Sequence, residues 1–139
     1  MPHYPGAPSA GAHKPAILVI DDNHALRAVV VRALSGVGYR VLYYADPTVA
    51  VEYLSSNDEA ISLAVVDGVM PQMLGPDVAA EIERLRPGVP IMLMSGHEAP
   101  MFSEFFDQPR RHYIGKPFVV QDLIARVAAI IGPSSSAGT

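Results

Sequence analysis

The sequence predicts an α/β fold: an open, doubly wound parallel sheet of five strands accompanied by five helices. Short apolar runs alternate with segments in which apolar residues recur at helical spacing, five times along the 139-residue chain. This alternation is typical of a parallel sheet with right-handed crossovers and helices on both faces. A closed barrel built from such units needs eight of them, so five units favour the open sheet.

The first unit begins with AILVI, residues 16–20, a continuous apolar run that suits a strand covered on both faces. Asp21 and Asp22 end this strand. Apolar residues then recur at helical spacing over about residues 23–35, and the sequence SGVG ends the predicted helix.

The second unit has a strand at RVLYY, residues 40–44, and a helix that begins at Pro47. In the third unit a strand at residues 62–66 runs into Asp67, and Pro76 stands in the first turn of the next helix. Both prolines occupy positions where the missing N–H costs the helix nothing.

The fourth unit has a strand at residues 91–94 and a short helix between Pro100 and Pro109. The fifth has a strand at residues 112–114. The apolar stripe of the last helix is formed by Leu123, Ile124, Val127, Ala128 and Ile131. We interpret residues 15–131 as one domain, with flexible tails at 1–14 and 132–139 because both ends are rich in small residues and proline.

Composition narrows the function classes. Half of the residues are apolar, and a net charge of −4 gives no reason to expect direct binding to nucleic acid. The chain has no cysteine, which excludes disulfides and thiolate sites. There is no apolar run of about 18 residues and no signal-peptide pattern, so we expect a cytoplasmic protein that does not insert into membranes.

Chemically complementary residues follow four of the five predicted strands. Asp21 and Asp22 follow the first strand and Asp67 the third, while Ser95 and Lys116 follow the fourth and fifth. The carboxyl ends of parallel strands share one edge, where open α/β sheets bind ligands. Converging carboxylates raise each other's pKa, and Mg²⁺ offsets that cost. A lysine and a hydroxyl would add donors for phosphate oxygens.

Each of these residues alone also has an ordinary structural interpretation. Asp21 or Asp22 could cap the following helix. The Asp-Gly and Ser-Gly pairs after the third and fourth strands could be turns, and Lys116 could be a solvated charge. Independent turn residues need not fall after four strands in complementary types, so a shared site is favoured.

Four motifs occur in a fixed order: IDDN at residues 20–23, DGVMPQMLG at 67–75, MSG at 94–96 and YIGKPF at 113–118. Together they resemble the response-regulator receiver domain of two-component signalling. The resemblance covers about residues 15–131. It implies a flavodoxin-like fold with the strand order 2-1-3-4-5.

The resemblance implies that Asp67 accepts a phosphoryl group from a phosphohistidine of a sensor histidine kinase or histidine phosphotransfer protein, or from a small acyl phosphate. Asp22 and Asp67 would bind Mg²⁺ together with the backbone carbonyl of Val69, and Asp21 would act mainly through water. Lys116 and Mg²⁺ would neutralise charge on the phosphoryl oxygens.

The resemblance also implies a switch. Ser95 would move toward the new phosphate and Tyr113 would enter the vacated space, which repacks a surface formed by the fourth helix, fifth strand and fifth helix. A downstream protein would bind there, and the peptide bond before Pro117 would be cis. This surface would include Phe102, Phe105, Phe106, Arg110 and Arg111, although ordinary core packing is the alternative for the phenylalanines.

Three other functions fit the sequence less well. A receiver fold that acts as an interaction module without phosphorylation could dispense with Asp67 or Lys116. A haloacid-dehalogenase-type phosphohydrolase needs an aspartate where Val65 stands. A flavodoxin-like cofactor binder needs a phosphate-cradling loop, which the sequence lacks. We therefore interpret the chain as a signalling domain rather than an enzyme, either on its own or as part of a longer protein.

Overall fold

The computed structural model describes residues 14–96 and 99–133. The strands are β1 (Ala16–Ile20), β2 (Val41–Tyr44), β3 (Ile61–Asp67), β4 (Ile91–Ser95) and β5 (Arg111–Gly115). The α-helices are α1 (His24–Gly36), α2 (Pro47–Ser55), α3 (Gly75–Leu85) and α4 (Val120–Ile131). A stretch of 3-10 helix, Ala99–Asp107, lies between β4 and β5 and is called the 3-10 segment below.

The five strands form one parallel sheet in the order β2-β1-β3-β4-β5. The predicted fold class and strand order are therefore confirmed, and the strand bounds differ from prediction by at most one residue at either end. None of the helices in the described ranges is long and apolar enough to cross a membrane. The predicted tails lie almost entirely outside those ranges.

Two apolar layers cover the two faces of the sheet. Successive residues of a strand point to opposite faces, so Leu18 and Ile20 pack into one layer while Ile17 and Val19 pack into the other. The first layer also receives α2, α3 and the 3-10 segment, and the second receives α1 and α4. The continuous apolar run of β1 thus reflects burial on both sides.

The predicted fourth helix is a 3-10 segment, not an α-helix. Its interior residue Phe102 has non-helical backbone angles, φ −106° and ψ 17°. Phe102 and Phe105 are three apart and are only 3% and 6% exposed, so both pack into the core. The core-packing alternative therefore holds for these two phenylalanines.

Arg111 at the start of β5 ties three elements together. Its guanidinium donates to Glu83 Oε1 at 2.6 Å and to Glu83 Oε2 at 3.0 Å, which attaches β5 to α3. It also donates to the carbonyl of Phe105 at 3.0 Å and lies 4.3 Å from the centre of the Phe105 ring. Such a bidentate, partly buried pair is stronger than an exposed ion pair.

Gly75 allows the first turn of α3 to approach the end of β3 closely. Its N–H donates to the carbonyl of Gly68 at 2.7 Å. A β-carbon at position 75 would lie 2.8 Å from the Asp67 carbonyl oxygen, from Gly68 Cα and from Leu93 Cδ2. Two of these three atoms belong to the backbone, so the contact cannot be relieved by a side-chain rotation. Only glycine fits at this position.

We expect Gly75→Ala to lower the free energy of unfolding by about 1–3 kcal/mol, the usual cost of overpacking a buried position. Urea unfolding followed by circular dichroism measures this. Gly36→Ala in α1 is the matched control, because a β-carbon there meets nothing within 4 Å. We expect the control to be as stable as the parent or slightly more so. Equal losses in the two variants would show that the close approach is not what Gly75 provides.

Candidate functional site

The carboxyl edge of the sheet brings the predicted site residues together. Asp21 directly follows β1, and Asp67 is the last residue of β3. Ser95 is the last residue of β4, and Lys116 directly follows β5. The parallel register pairs Asp67 with Met94 and Ser95 with Gly115, so these strands end at nearly the same level.

Asp21, Asp22 and Asp67 form an acid cluster. One carboxylate oxygen from each lies within 4.8 Å of the others. Asp21 is fully buried and Asp67 is 6% exposed, whereas Asp22 is exposed. The cluster is therefore open to solvent on the Asp22 side and closed by the sheet on the other.

Lys116 supplies a positive charge to this cluster. Its Nζ donates to Asp67 Oδ1 at 2.9 Å and lies 4.0 Å from Asp21 Oδ2. The Lys116 backbone N–H donates to the Ser95 carbonyl at 2.8 Å, which fixes the start of its loop. The Lys116–Pro117 peptide bond is cis, as the resemblance implied. Lys116 is thus a partly buried ion-pair partner, and the alternative of a solvated charge is wrong.

Asp21 does not cap the following helix. The cap of α1 is Asn23, whose side-chain oxygen accepts the N–H of Leu26 at 2.9 Å. Asp21 Oδ1 instead accepts the Asn23 N–H at 2.8 Å. Asp21 Oδ2 is buried and has no hydrogen-bond partner among residues 14–96 and 99–133. A buried carboxylate oxygen left in this state is costly unless a proton or a cation joins it.

The electrostatics of the cluster reflect burial and like charge. Burial raises the pKa of Asp67 to about 6, and the nearby Asp21 charge adds to the shift, while the Lys116 hydrogen bond opposes it. The pKa of Asp21 is also raised, chiefly by burial, against the opposing effects of the Asn23 N–H and Lys116. The protein's own groups therefore leave the cluster short of positive charge.

Ser95 and Tyr113 are linked through the backbone. Ser95 is 2% exposed, and its carbonyl accepts the Tyr113 hydroxyl at 3.0 Å. The Tyr113 ring meets Phe106 edge-on at 5.9 Å between centroids, and Phe106 in turn meets Phe105 at 5.0 Å. An aromatic chain thus runs from the end of β4 to the 3-10 segment.

Two further residues contact the site, and neither was assigned to it from the sequence. Arg27 donates from Nη1 to the Asp21 carbonyl at 2.9 Å. Phe102 lies against the residue after Asp67, because a β-carbon on Gly68 would be 2.8 Å from Phe102 Cε2. An arginine one turn into a helix looks like any surface arginine, so no sequence signal marked Arg27. The spacing of Phe102, Phe105 and Phe106 along the predicted helix did not indicate whether Phe102 packs in the core or lies on the surface.

The structure gives the exposure and backbone contacts of the other predicted residues, but it does not test their roles. Val69 is 41% exposed and forms an isolated bridge with Leu74, while the metal-binding role of its carbonyl stays a prediction. Arg110 is exposed, and its backbone has a positive φ of 63°. The Asp67–Gly68 pair is not a tight turn. The Gly68 N–H donates to the Met94 carbonyl at 2.9 Å and so continues the hydrogen bonding between β3 and β4.

Known proteins are similar to this chain in sequence, and solved structures are similar to it in fold. It is 31% identical over 116 residues to the response regulator receiver protein CpdR of Brucella abortus. This alignment covers 83% of this chain and 95% of CpdR. The chain is 28% identical to a part of the sensor kinase CckA of the same organism, and that match spans 12% of the kinase.

A solved structure of a response regulator receiver protein is also similar to this chain. The response regulator receiver protein from Sinorhizobium medicae WSM419 superposes with a TM-score of 0.76 at 29% identity, covering 84% of this chain and 94% of the other. The family model for the response regulator receiver domain matches residues 17–128, which cover all five strands except the first residue of β1, and α4 except its last three residues. The chain therefore belongs to the response regulator receiver domain family of two-component signalling.

Proposed function

We propose that this chain is a phosphorylation-dependent signalling switch in which Asp67 is the phosphoacceptor. The observation that carries the proposal is the buried Asp67 carboxylate, held by Lys116 at 2.9 Å within a cluster of three acids. Membership of the receiver family supports it. The match to part of a sensor kinase supports a sensor histidine kinase or a histidine phosphotransfer protein as the donor.

The proposed reaction is an in-line phosphoryl transfer. A carboxylate oxygen of Asp67 attacks the phosphorus, the bond from phosphorus to the donor imidazole nitrogen breaks, and the imidazole leaves with its electron pair. Such transfers depend on positioning and on neutralising charge at the phosphoryl oxygens. Lys116 already binds Asp67 and supplies part of that charge. The attacking carboxylate must be ionised, which a pKa of about 6 allows near neutral pH.

The acid cluster fits a divalent cation with hard oxygen ligands, and we propose Mg²⁺. Three carboxylate oxygens lie within 4.8 Å of one another, and Asp21 Oδ2 is buried without a hydrogen-bond partner in the described residues. Asp22 and Asp67 would bind the ion directly with the Val69 carbonyl, and Asp21 would bind through water. The ion would supply positive charge to the phosphoryl oxygens.

We further propose that phosphorylation changes the surface formed by the 3-10 segment, β5 and α4, and that a downstream protein binds there. Ser95 would donate to the new phosphate, and Tyr113 would follow. The hydrogen bond from Tyr113 to the Ser95 carbonyl and its edge contact with Phe106 supply the physical connection. A cytoplasmic location, a folded unit at residues 15–131 and the absence of direct nucleic-acid binding belong to the same proposal.

We expect the protein to gain the mass of one phosphoryl group when it is incubated with acetyl phosphate and Mg²⁺ and then weighed intact. Asp67→Asn removes the nucleophile and should gain none. Lys116→Gln should be phosphorylated much more slowly, because a charge beside the transferring group is lost. Asp58→Asn, at an exposed acid outside the cluster, is the control and should react like the parent. A parent protein that gains no phosphoryl group would contradict the proposal and favour an interaction module.

We expect Asp67→Asn to stabilise the protein above pH 6 in the presence of a chelator. The pKa of Asp67 is about 6 in the fold against an ordinary value of 3.8, so between those values the folded state binds more protons than the unfolded state. Stability therefore falls as pH rises through that window, and the penalty is complete above it. Removing the charge should restore on the order of 1–3 kcal/mol, less the weakened Lys116 contact.

Urea unfolding at several pH values measures this effect. The gain should shrink as the pH approaches 4, where Asp67 is protonated in the parent fold. Asp58→Asn should show no such dependence. An Asp67→Asn protein that is less stable than the parent at pH 8 would show that the Lys116 contact outweighs the burial and like-charge penalties.

We expect Mg²⁺ to raise the melting temperature of the parent protein, because an ion that binds only the folded state stabilises it by mass action. Asp22→Asn and Asp67→Asn should each lose most of that rise, since each removes a carboxylate from the cluster. Thermal unfolding over a series of Mg²⁺ concentrations gives the comparison, with Asp58→Asn as the control. A rise of the same size in all four proteins would mean that the ion binds elsewhere.

A further inference from the structure

Arg27, in the first turn of α1, contacts the loop that carries two of the three clustered acids. Its Nη1 donates to the Asp21 carbonyl at 2.9 Å, and this contact is partly buried. Its Nη2 lies 3.1 Å from Nδ1 of His24 on the same helix. Because the guanidinium is planar and its N–H groups have fixed directions, the second contact orients the first. Arg27 is therefore directed at the backbone that follows β1.

The contact with the Asp21 carbonyl fixes the peptide group that precedes Asp22. This peptide contains the Asp21 carbonyl and the Asp22 N–H in one plane, so a hydrogen bond to the carbonyl orients the whole group. The peptide on the other side of Asp22 is also held, because the Asn23 N–H donates to Asp21 Oδ1 at 2.8 Å. With both flanking peptides held, the direction in which the Asp22 side chain leaves the loop is fixed.

The neighbouring backbone is anchored at two further points. The Asp21 N–H donates to the Tyr44 carbonyl of β2 at 3.1 Å, and the Arg27 N–H donates to the Asn23 carbonyl at 2.9 Å. Arg27 thus binds the loop before Asp22 with its side chain and after Asp22 with its backbone. A substitution at position 27 removes only the side-chain contact.

Asp22 is the acid whose position depends most on these contacts. Asp21 is fully buried and Asp67 is 6% exposed, so the surrounding structure restrains both side chains, whereas Asp22 is exposed. Like charges repel, and an exposed carboxylate on a free backbone would move away from two buried ones. A held backbone at Asp22 keeps one of its oxygens within 4.8 Å of the other two acids.

We propose that Arg27 is a positioning residue of the acid cluster. Its guanidinium holds the peptide before Asp22 and so keeps this exposed carboxylate where it can bind Mg²⁺ together with Asp67. The inference rests on the proposed function, because it concerns the same cluster. Residues that orient metal ligands from outside typically contribute about 10- to 100-fold in metal affinity.

The positive charge of Arg27 would act in the opposite direction. A guanidinium beside a cation site repels the ion, so the loss of this charge alone would strengthen Mg²⁺ binding. The loss of the hydrogen bond to the Asp21 carbonyl would weaken it, because Asp22 would no longer be held. The sign of the change in Mg²⁺ affinity therefore separates positioning from charge.

NMR titration of the full chain with Mg²⁺ measures this affinity. We expect Arg27→Met, which keeps an apolar stem and removes the donors, to bind Mg²⁺ about 10- to 100-fold more weakly than the parent. Arg27→Lys should recover part of the affinity, because one ammonium group can donate to the Asp21 carbonyl without reproducing the planar fork. Arg32→Met is the matched control, since Arg32 is an exposed arginine on the same helix, and it should bind like the parent.

The amide spectrum without Mg²⁺ gives a second measurement. Arg27→Met should shift the amide signals of Asp22 and Asn23, because the peptide before Asp22 loses its partner, and Arg32→Met should leave both in place. Urea unfolding shows whether each variant is folded. Methionine is a good helix former, so we expect α1 to persist. Arg27→Gln, whose side chain is too short to reach the carbonyl, is a second variant with the same expected loss.

Two outcomes would overturn the inference and leave the proposed function intact. One is an Arg27→Met or Arg27→Gln protein that is folded and binds Mg²⁺ as tightly as the parent or more tightly. The other is an equal loss of affinity in Arg32→Met, which would show a general effect of charge or helix stability. A parent protein that binds no Mg²⁺ at the acid cluster would contradict the proposed role of the ion and this inference with it.

Discussion

The constraint on which this structure depends is the burial of two like charges at one edge of a parallel sheet. β1 and β3 are neighbours, so the residues that follow their apolar runs, Asp21 and Asp67, must meet. A single ammonium group, that of Lys116, lies between them. Burial raises both carboxyl pKa values, and a neighbouring carboxylate adds to each shift: Asp21 acts on Asp67, and Asp22 acts on Asp21. The local charge balance therefore favours a cation that enters from the open Asp22 side.

The surrounding contacts hold this unfavourable arrangement in place. The Asn23 N–H and the Arg27 guanidinium each bind Asp21, one at its carboxylate and the other at its carbonyl. On the other side, Gly75 lets α3 press against the backbone at Asp67. The two apolar layers hold the strands that carry both acids, so the carboxylates stay close together despite their repulsion.

The sequence alone predicted the elements of the fold and the convergence of the site, because both follow from rules that act along the chain. Alternating apolar runs define strands and helices, and the carboxyl ends of parallel strands share an edge. The strand order came from the family resemblance. The choice of 3-10 over α geometry, the burial of Phe102 and the contact of Arg27 could not be predicted, because they depend on packing between distant segments.

Both ends of α3 are held by contacts with other elements of the fold. Its first residue, Gly75, abuts the backbone of Asp67, and Glu83 near its last turn shares the guanidinium of Arg111 with the Phe105 carbonyl. Eleven residues of α-helix make a rod about 16 Å long. α3 therefore connects the backbone at Asp67 to Arg111 of β5 and, through Arg111, to the 3-10 segment, although these elements lie far apart in the sequence.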